Sequence, residues 1–251
     1  MSEQIDIAMV LAAGLGMRMR PLTLERPKPL VVLNQKTLLD HVLDRIAEAG
    51  ISSAVVNVHY HAAMIEAALA ARSNPVIHIS DERDALLDTG GGIMRALPRF
   101  GGKSFLIHNS DSVWLEDRTS NLARLIEAWE PQRMDCLMLL AAEQESIGFT
   151  GRGDFKMLPN GFLYSFRKGA KRLQRRAAQG SAPFVYAGVS IAHPRMFEGA
   201  PEGPFSLNLL WDRAIARERL FGIALDGLWM HVGTPEALAE AEQAIMKRPS
   251  S

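Results

Sequence analysis

The sequence contains a single cysteine, Cys136, in a chain of 251 residues. A disulfide within the chain is therefore impossible, and the apolar run from Cys136 to Leu140 indicates a role in core packing. No apolar run approaches the length of about 18 residues that a membrane span requires. The first residues lack the basic segment of a signal peptide. We therefore expect a cytoplasmic protein that does not act at a membrane.

The sequence also lacks an excess of either charge. Lysine plus arginine and aspartate plus glutamate each number 28, so the formal net charge is zero. This balance argues against a nucleic-acid-binding surface, which would be strongly basic. A chain of this length suits a single α/β domain, residues 1–251, with a large buried core.

Apolar periodicity predicts alternating strands and helices over the first 142 residues. Such alternation predicts an α/β fold with a Rossmann-like, mostly parallel sheet flanked by helices. The predicted strands are 5–11, 54–58, 76–80, 104–107 and 136–142, and the predicted helices are 38–49, 62–71, 91–97 and 121–129.

The pattern changes after Glu143. A glycine-rich loop at 148–153 precedes predicted hairpin strands at 155–158 and 162–166, and a further strand is predicted at 184–191. A helix at 207–217, a strand at 221–225 and a helix at 235–246 then follow. We predict a core of about 5–142 and 207–247, with a small inserted lid-like β subdomain at about 143–206.

The stretch from Val10 to Thr23 is the most informative in the chain. A buried strand ends there in small residues with Gly14 and Gly16, which let backbone N–H groups approach a ligand. Arg18 and Lys28 add positive charge at the same strand end, so phosphate is the expected ligand. Neither a P-loop nor a dinucleotide fingerprint fits this stretch.

Two further segments suggest a ligand site. Asp88-Thr89-Gly90-Gly91-Gly92 precedes a helix and would admit a flat ligand such as a base, although a flexible turn is the alternative. Asp111 follows a buried strand and could hold Mg²⁺ together with phosphate oxygens, the alternative being an Asx turn or a helix cap.

The chain contains Leu11-Ala12-Ala13-Gly14-Leu15-Gly16-Met17-Arg18-Met19-Arg20-Pro21-Leu22-Thr23, followed by Pro27-Lys28-Pro29-Leu30. This string resembles the signature of the sugar-1-phosphate nucleotidyltransferases. That resemblance implies a reaction in which an NTP and a sugar 1-phosphate give an NDP-sugar and pyrophosphate. It implies catalysis by positioning and charge neutralisation, with Arg18 and Lys28 as the catalytic residues.

The resemblance also implies further site residues. The nucleotide-binding residues would be Leu11, Ala12, Ala13, Gly14, Gly16, Asp88, Thr89, Gly90 and Gly91, and the sugar phosphate-binding residues would be Asn109, Asp154, Lys168 and Gly188. Asn57 matches an asparagine of the family and is a candidate site residue. Arg167 replaces a glutamate of the family pattern, so the sugar contacts are expected to differ.

The expected metal is Mg²⁺, with Mn²⁺ as an alternative. Asn109-Ser110-Asp111 resembles the segment whose aspartate binds the metal in the family. His231 stands where the family has a second metal-binding aspartate, and imidazole suits Mn²⁺ or Zn²⁺ better than Mg²⁺. The alternative for His231 is a packed or solvated side chain.

Within the family, Leu87 to Ile93, Gly151 to Phe155 and the short C-terminus most resemble the N-acetylmuramate-1-phosphate uridylyltransferases of cell-wall recycling. The alternatives are a mannose-1-phosphate guanylyltransferase, or a nucleotide-sugar-binding protein that has lost its chemistry through the change at His231. Family members often oligomerise through C-terminal extensions, so a monomer or weak dimer is expected here.

Overall fold

The structure is a computed structural model that describes residues 3–159 and 169–247. Its strands are β1 (Ile7–Leu11), β2 (Val32–Leu33), β3 (Lys36–Thr37), β4 (Ser53–Val58), β5 (Val76–Asp81), β6 (Phe105–Asn109), β7 (Ser112–Glu116), β8 (Cys136–Ala142), β9 (Phe155–Met157), β10 (Lys171–Arg175), β11 (Phe184–Ala192), β12 (Leu220–Ala224) and β13 (Gly227–His231). Its α-helices are α1 (Leu38–Glu48), α2 (Ala62–Leu69), α3 (Asp88–Ala96), α4 (Asn121–Ala128), α5 (Asn208–Ala216) and α6 (Pro235–Lys247).

A sheet of nine described strands forms the centre of the molecule, in the order β5-β4-β1-β6-β11-β8-β12-β10-β9. Strands β5, β4, β1 and β6 pair in parallel, as do β8 and β12. Strand β11 is antiparallel to both of its neighbours, β6 and β8. The predicted mostly parallel sheet is therefore confirmed.

Helices cover both faces of this sheet. Successive residues of a strand point to opposite faces, and Ala8 and Val10 of β1 pack in one apolar cluster while Met9 packs in another. Helices α1, α2 and α4 contribute to the first cluster, whereas α3 and α5 contribute to the second. The side chain of Thr37 caps α1 by accepting from the N–H of Asp40.

Several details differ from the sequence prediction, which did not include β2, β3, β7, β10 or β13. Helix α3 begins at Asp88 and contains the glycine run, whereas the prediction placed the start at Gly91. Strands β9, β10 and β11, all from the predicted lid-like segment, pair within the main sheet. The predicted strand 162–166 and its turn lie outside the described residues, except Pro159. The division into core and lid stays a prediction.

A two-stranded antiparallel ribbon, β7 with β13, lies beside the main sheet. It packs with α6 and Met19 around a third apolar cluster. Its register places Ser112 opposite His231, which brings Asp111 and His231 together although they are far apart in sequence. Within 3–159 and 169–247, no helix has both the length and the apolar character needed to cross a membrane.

Candidate active site

A cavity of about 540 Å³ opens at the carboxyl ends of β1 and β6. These strands are neighbours at the point where the strand order reverses, which is where open α/β sheets bind ligands. The following predicted residues line it: Leu11, Ala12, Ala13, Gly14, Gly16, Arg18, Lys28, Asp88, Thr89, Asn109 and Asp111. Two segments that are distant in sequence, the signature loop and the end of β6, thus share one cavity.

The signature loop has a fixed shape. Gly16 has a φ of 62°, a left-handed conformation that favours glycine, and its carbonyl accepts a hydrogen bond of 2.8 Å from Thr23 Oγ1. The 3₁₀ turn Met17–Met19 follows, burying Met19 while leaving Arg18 exposed at the cavity. The loop therefore presents backbone and a guanidinium to the cavity without being a P-loop.

Four charged or titratable side chains form a chain of contacts beside the signature loop. Lys28 Nζ donates to Asp111 Oδ2. His231 Nδ1 lies 3.8 Å from the same oxygen, and Arg18 Nη2 lies 3.4 Å from His231 Nε2. Two cations thus flank one carboxylate and one imidazole.

The protonation state of His231 follows from these contacts. Burial, together with the charges of Lys28 and Arg18, lowers the pKa of His231 below its usual value, although Asp111 opposes this. Arginine can only donate, so Nε2 of His231 must accept and the ring proton belongs on Nδ1. In its neutral form, His231 would therefore carry its N–H on Nδ1, facing Asp111.

The ionisation of Asp111 follows in the same way. Burial would raise the pKa of Asp111, but the charges of Lys28 and His231 and the Lys28 hydrogen bond keep that pKa below its ordinary value. Asp111 is thus a carboxylate near neutral pH. A carboxylate, an adjacent imidazole and phosphate oxygens form a donor set that suits Mg²⁺ or Mn²⁺.

The described residues contain no group of three or more His, Cys, Asp or Glu side chains that could enclose a metal ion. Mg²⁺ commonly binds through one or two carboxylates plus substrate phosphates. Asp111 fits that pattern, and His231 stands close enough to assist. The residues present therefore fit a divalent ion shared with a phosphorylated substrate.

A buried polar pair forms the opposite wall of the cavity. Asn57 Oδ1 accepts from the N–H of Ala12 at 2.7 Å, and Asn57 Nδ2 donates to Glu82 Oε1 at 2.7 Å. Burial raises the pKa of Glu82 above its usual value, although the hydrogen bonds from Asn57 and from the N–H of Leu87 oppose this. The pair fixes the end of β1 against the residue that follows β5.

The glycine run contributes Asp88 and Thr89 to the cavity lining, and nucleotide binding by its glycines stays a prediction. Gly90 and Gly91 do not line the cavity; their N–H groups donate to the carbonyl of Phe205 at 2.8 and 3.3 Å. A Cβ on Gly92 would meet Glu82 Oε1 at 2.7 Å and Asn57 Nδ2 at 2.9 Å. The run therefore provides close packing, while Asp88 and Thr89 face the cavity.

A second cavity of about 290 Å³ adjoins the first. Leu11, Asp88, Thr89 and Asn109 line both cavities. Asp154 lines only the second, and its Oδ2 accepts from the N–H of Tyr186 at 3.1 Å.

Gly188, predicted at the sugar phosphate, packs behind the cavity walls. With a φ of 76°, it lies in a β-bulge of β11 against Ser112 and Asn109. Lys168 lies outside the described residues.

Sequence reasoning missed two charged residues that line the cavities. Glu82 carries a signal that could have been used, because it is a charged residue directly after a strand whose carboxyl end faces the predicted site. Arg175, which lines the second cavity, has no such signal, because it lies in a run of basic residues that resembles a solvated strand.

Comparisons with known proteins identify the family of the chain. The family model for the MobA-like NTP transferase domain matches residues 8–201. The N-acetylmuramate alpha-1-phosphate uridylyltransferase of Caulobacter vibrioides is 46% identical over 246 residues, covering 96% of this chain and 98% of the relative. A protein of the same name from Neisseria meningitidis serogroup B is 34% identical over 238 residues, covering 94% of this chain and 96% of the relative.

A solved structure of UDP-glucose pyrophosphorylase complexed with UDP-glucose superposes with a TM-score of 0.77. The superposition covers 97% of this chain and 99% of the solved chain. The two sequences are 15% identical, so the likeness is evidence for the fold alone. The resemblance drawn from the signature is thereby confirmed. The chain belongs to the family of nucleotidyltransferases that share the MobA-like NTP transferase domain.

Proposed function

We propose that the protein transfers a uridylyl group from UTP to N-acetylmuramate 1-phosphate and releases pyrophosphate. The observation that carries this proposal is the Lys28–Asp111 pair beside the signature loop, where a cation and a carboxylate face one cavity. The two relatives with this activity in their names support the choice of substrates.

The reaction needs no covalent enzyme intermediate. An oxygen of the sugar phosphate attacks the α-phosphorus of UTP in line, a new P–O bond forms, and the bond to the β-phosphate oxygen breaks as pyrophosphate leaves. Arg18 and Lys28 neutralise phosphate charge during this transfer, and the backbone of the signature loop orients the triphosphate.

Asp111 would hold Mg²⁺ at this site, with His231 as an auxiliary ligand, direct or through water. When bound, such an ion shields the triphosphate from the second anionic substrate. Lys28 donates to an oxygen of Asp111, and we propose that the lysine turns to the phosphates when the substrates bind.

The two cavities suggest how the substrates divide the site. The first cavity takes the nucleotide, with its phosphates at Arg18 and Lys28 and its base towards Asn57 and Glu82. The second takes the sugar, near Asp154 and the shared residue Asn109. Lys168, together with the predicted lid of residues 143–206, would complete the sugar phosphate site.

A guanylyltransferase acting on mannose 1-phosphate is the second candidate, and Glu82 is the observation that favours it. A carboxylate can accept from the N1–H and N2–H groups of guanine, as well as from the N3–H of uracil. A binding protein without catalysis is the third candidate, because His231 replaces a carboxylate of the family pattern.

Initial rates of pyrophosphate release separate these candidates. UTP and GTP would each be tested with N-acetylmuramate 1-phosphate and mannose 1-phosphate, with a parallel Lys28→Ala preparation to exclude contaminating enzymes. Fast release with UTP and N-acetylmuramate 1-phosphate supports the proposal. Preference for GTP and mannose 1-phosphate supports the second candidate, and nucleotide binding without release in any combination supports the third.

A further inference from the structure

The second cavity contains a cation that the reaction itself does not require. Of the described residues that line this cavity, Arg175 of β10 is the one with a positive charge. Arg18 and Lys28 line the first cavity and not the second. We infer that Arg175 binds a carboxylate carried by the sugar and so selects an acidic sugar 1-phosphate over a neutral one.

This inference rests on the proposed function and deepens it. N-acetylmuramate carries a lactyl carboxylate that N-acetylglucosamine lacks, and the two sugars are otherwise alike. A residue that pairs with this carboxylate would therefore determine which of the two is used.

The guanidinium of Arg175 is held in a defined orientation. Its Nε donates to Asp212 Oδ1 at 2.7 Å, and its Nη2 donates to Asn208 Oδ1 at 2.9 Å. Its Cζ lies 4.8 Å from the ring centroid of Phe155 and 5.7 Å from that of Trp211. The group is thus fixed by a carboxylate, an amide and two aromatic rings before any substrate arrives.

One donor of this oriented group remains available. Among the described residues, no hydrogen bond to Nη1 of Arg175 is found. Nη2 already donates to the carbonyl and to Oδ1 of Asn208, so the two N–H groups of Nη1 are the donors that a substrate carboxylate can accept from. Lysine cannot reproduce the fixed orientation of the guanidinium. Arg175 is about 30% exposed, so a ligand in the cavity can reach it.

Two carboxylates in the second cavity would disfavour an acidic ligand unless a cation such as Arg175 lies nearby. Asp88 and Asp154 also line this cavity and would repel a substrate carboxylate. Both can accept from the hydroxyl groups of a neutral sugar, which has no need of a guanidinium. Arg175 is the described lining group that could offset the repulsion for an acidic sugar.

A purely structural role for Arg175 does not account for its position in the lining of the second cavity. The Asp212 partner is 60% exposed, and an ion pair of that kind contributes little to stability. Arg172 on the same strand makes a comparable exposed pair with Glu218 at 2.6 Å, yet it lines neither cavity. Arg172 is therefore a matched control for Arg175.

The test compares Arg175→Met, Arg175→Lys and Arg172→Met with the wild type. The kcat/KM is measured with UTP and either N-acetylmuramate 1-phosphate or N-acetylglucosamine 1-phosphate, after thermal unfolding shows that each variant is folded. For Arg175→Met we expect the preference for the acidic sugar to fall about 100-fold, mainly through KM. Arg175→Lys should give an intermediate loss, and Arg172→Met should keep the wild-type preference.

Two results overturn the inference. An equal loss for both sugars would assign Arg175 to the shared phosphate or to structure, and an unchanged preference would remove it from substrate recognition.

A binding experiment separates a failure of the proposed function from a failure of the inference about Arg175. The wild type and Arg175→Met are titrated calorimetrically with UDP-N-acetylmuramate and UDP-N-acetylglucosamine. If the wild type shows no turnover, the proposed function fails. The inference then stands if the wild type binds the acidic UDP-sugar more tightly and Arg175→Met loses that preference, and it falls if the wild type shows no preference.

Discussion

The ammonium group of Lys28 lies against Oδ2 of Asp111, the carboxylate that we assign to the metal. The two side chains are only 12% and 19% exposed, so the contact is shielded from water and salt. A lysine thus neutralises the carboxylate. Binding of a metal and a triphosphate would redistribute both charges, which ties nucleotide binding to metal binding.

Replacing Lys28 with alanine tests the role of this ammonium group. We expect kcat/KM for UTP to fall by roughly 10²–10³-fold, because one preorganised donor to phosphate is lost. Lys36→Ala is the control, since Lys36 is exposed and pairs with Asp44 on the surface. Both rates come from pyrophosphate release. Wild-type turnover in folded Lys28→Ala protein would remove Lys28 from the catalytic machinery.

Replacing His231 with aspartate tests its role at the metal. A second carboxylate next to Asp111 should favour Mg²⁺ over Mn²⁺, and we expect the ratio of the two activities to rise about tenfold. His231→Asn is the control because it removes the imidazole without adding charge. Titration of each variant with both metals gives the ratio. If the ratio stays at the wild-type value in His231→Asp, the histidine lies outside the coordination sphere.

The fold was predictable because its signals are local. Apolar periodicity and turn residues mark most strands and helices, and the alternation of the two implies a covered parallel sheet. The position of β11 between β6 and β8 was not predictable, since strand order depends on long-range pairing. The pattern after Glu143 predicts an inserted lid-like subdomain, but spacing alone could not show that β9, β10 and β11 of this segment pair within the main sheet.

The site was predictable to the extent that it lies in contiguous motifs. The loop around Gly16 and Asp111 line one cavity, as residues after neighbouring strands should, and their roles stay predictions. Contacts between distant segments could not be read from spacing, such as Lys28 with Asp111, or Asn57 with Glu82. Such pairs exist only once the sheet has brought strand ends together.

Substituting alanine for Gly92 tests the Asn57–Glu82 wall. Glycine to alanine inside a helix usually stabilises by up to about 1 kcal/mol. Here the added Cβ would meet Glu82 Oε1 at 2.7 Å, so we expect a loss of stability and at least a tenfold rise in KM for UTP. Gly180→Ala is the control, because its nearest contact would be an ordinary 3.5 Å. Urea unfolding and initial rates measure both effects, and a stabilised Gly92→Ala protein would contradict the account of this wall.

The pH dependence of stability should depend on Asp135. Burial would raise the pKa of Asp135, but hydrogen bonds from Arg219 and Arg195 lower it below the ordinary value. A lowered carboxyl pKa stabilises the fold above about pH 4, and that stability is lost as the pH falls through the folded-state pKa.

Asp135→Asn should therefore lower the free energy of unfolding by about 3 kcal/mol at pH 7 and flatten its decline below pH 4. Asp212→Asn, at an exposed pair with Arg175, is the control and should cost less than about 1 kcal/mol. Urea unfolding at pH 7, 5, 4 and 3 measures both variants. If the free energy of unfolding declines below pH 4 as steeply in Asp135→Asn as in the wild type, groups other than Asp135 cause that decline.

The central claim is the identity of the nucleotide and the sugar. One reaction would contain equal concentrations of UTP, CTP, GTP and ATP, together with N-acetylmuramate 1-phosphate, N-acetylglucosamine 1-phosphate and mannose 1-phosphate, and mass spectrometry would identify the products at early times. The account predicts UDP-N-acetylmuramate as the dominant product. GDP-mannose as the dominant product, or no nucleotide sugar at all, would contradict it.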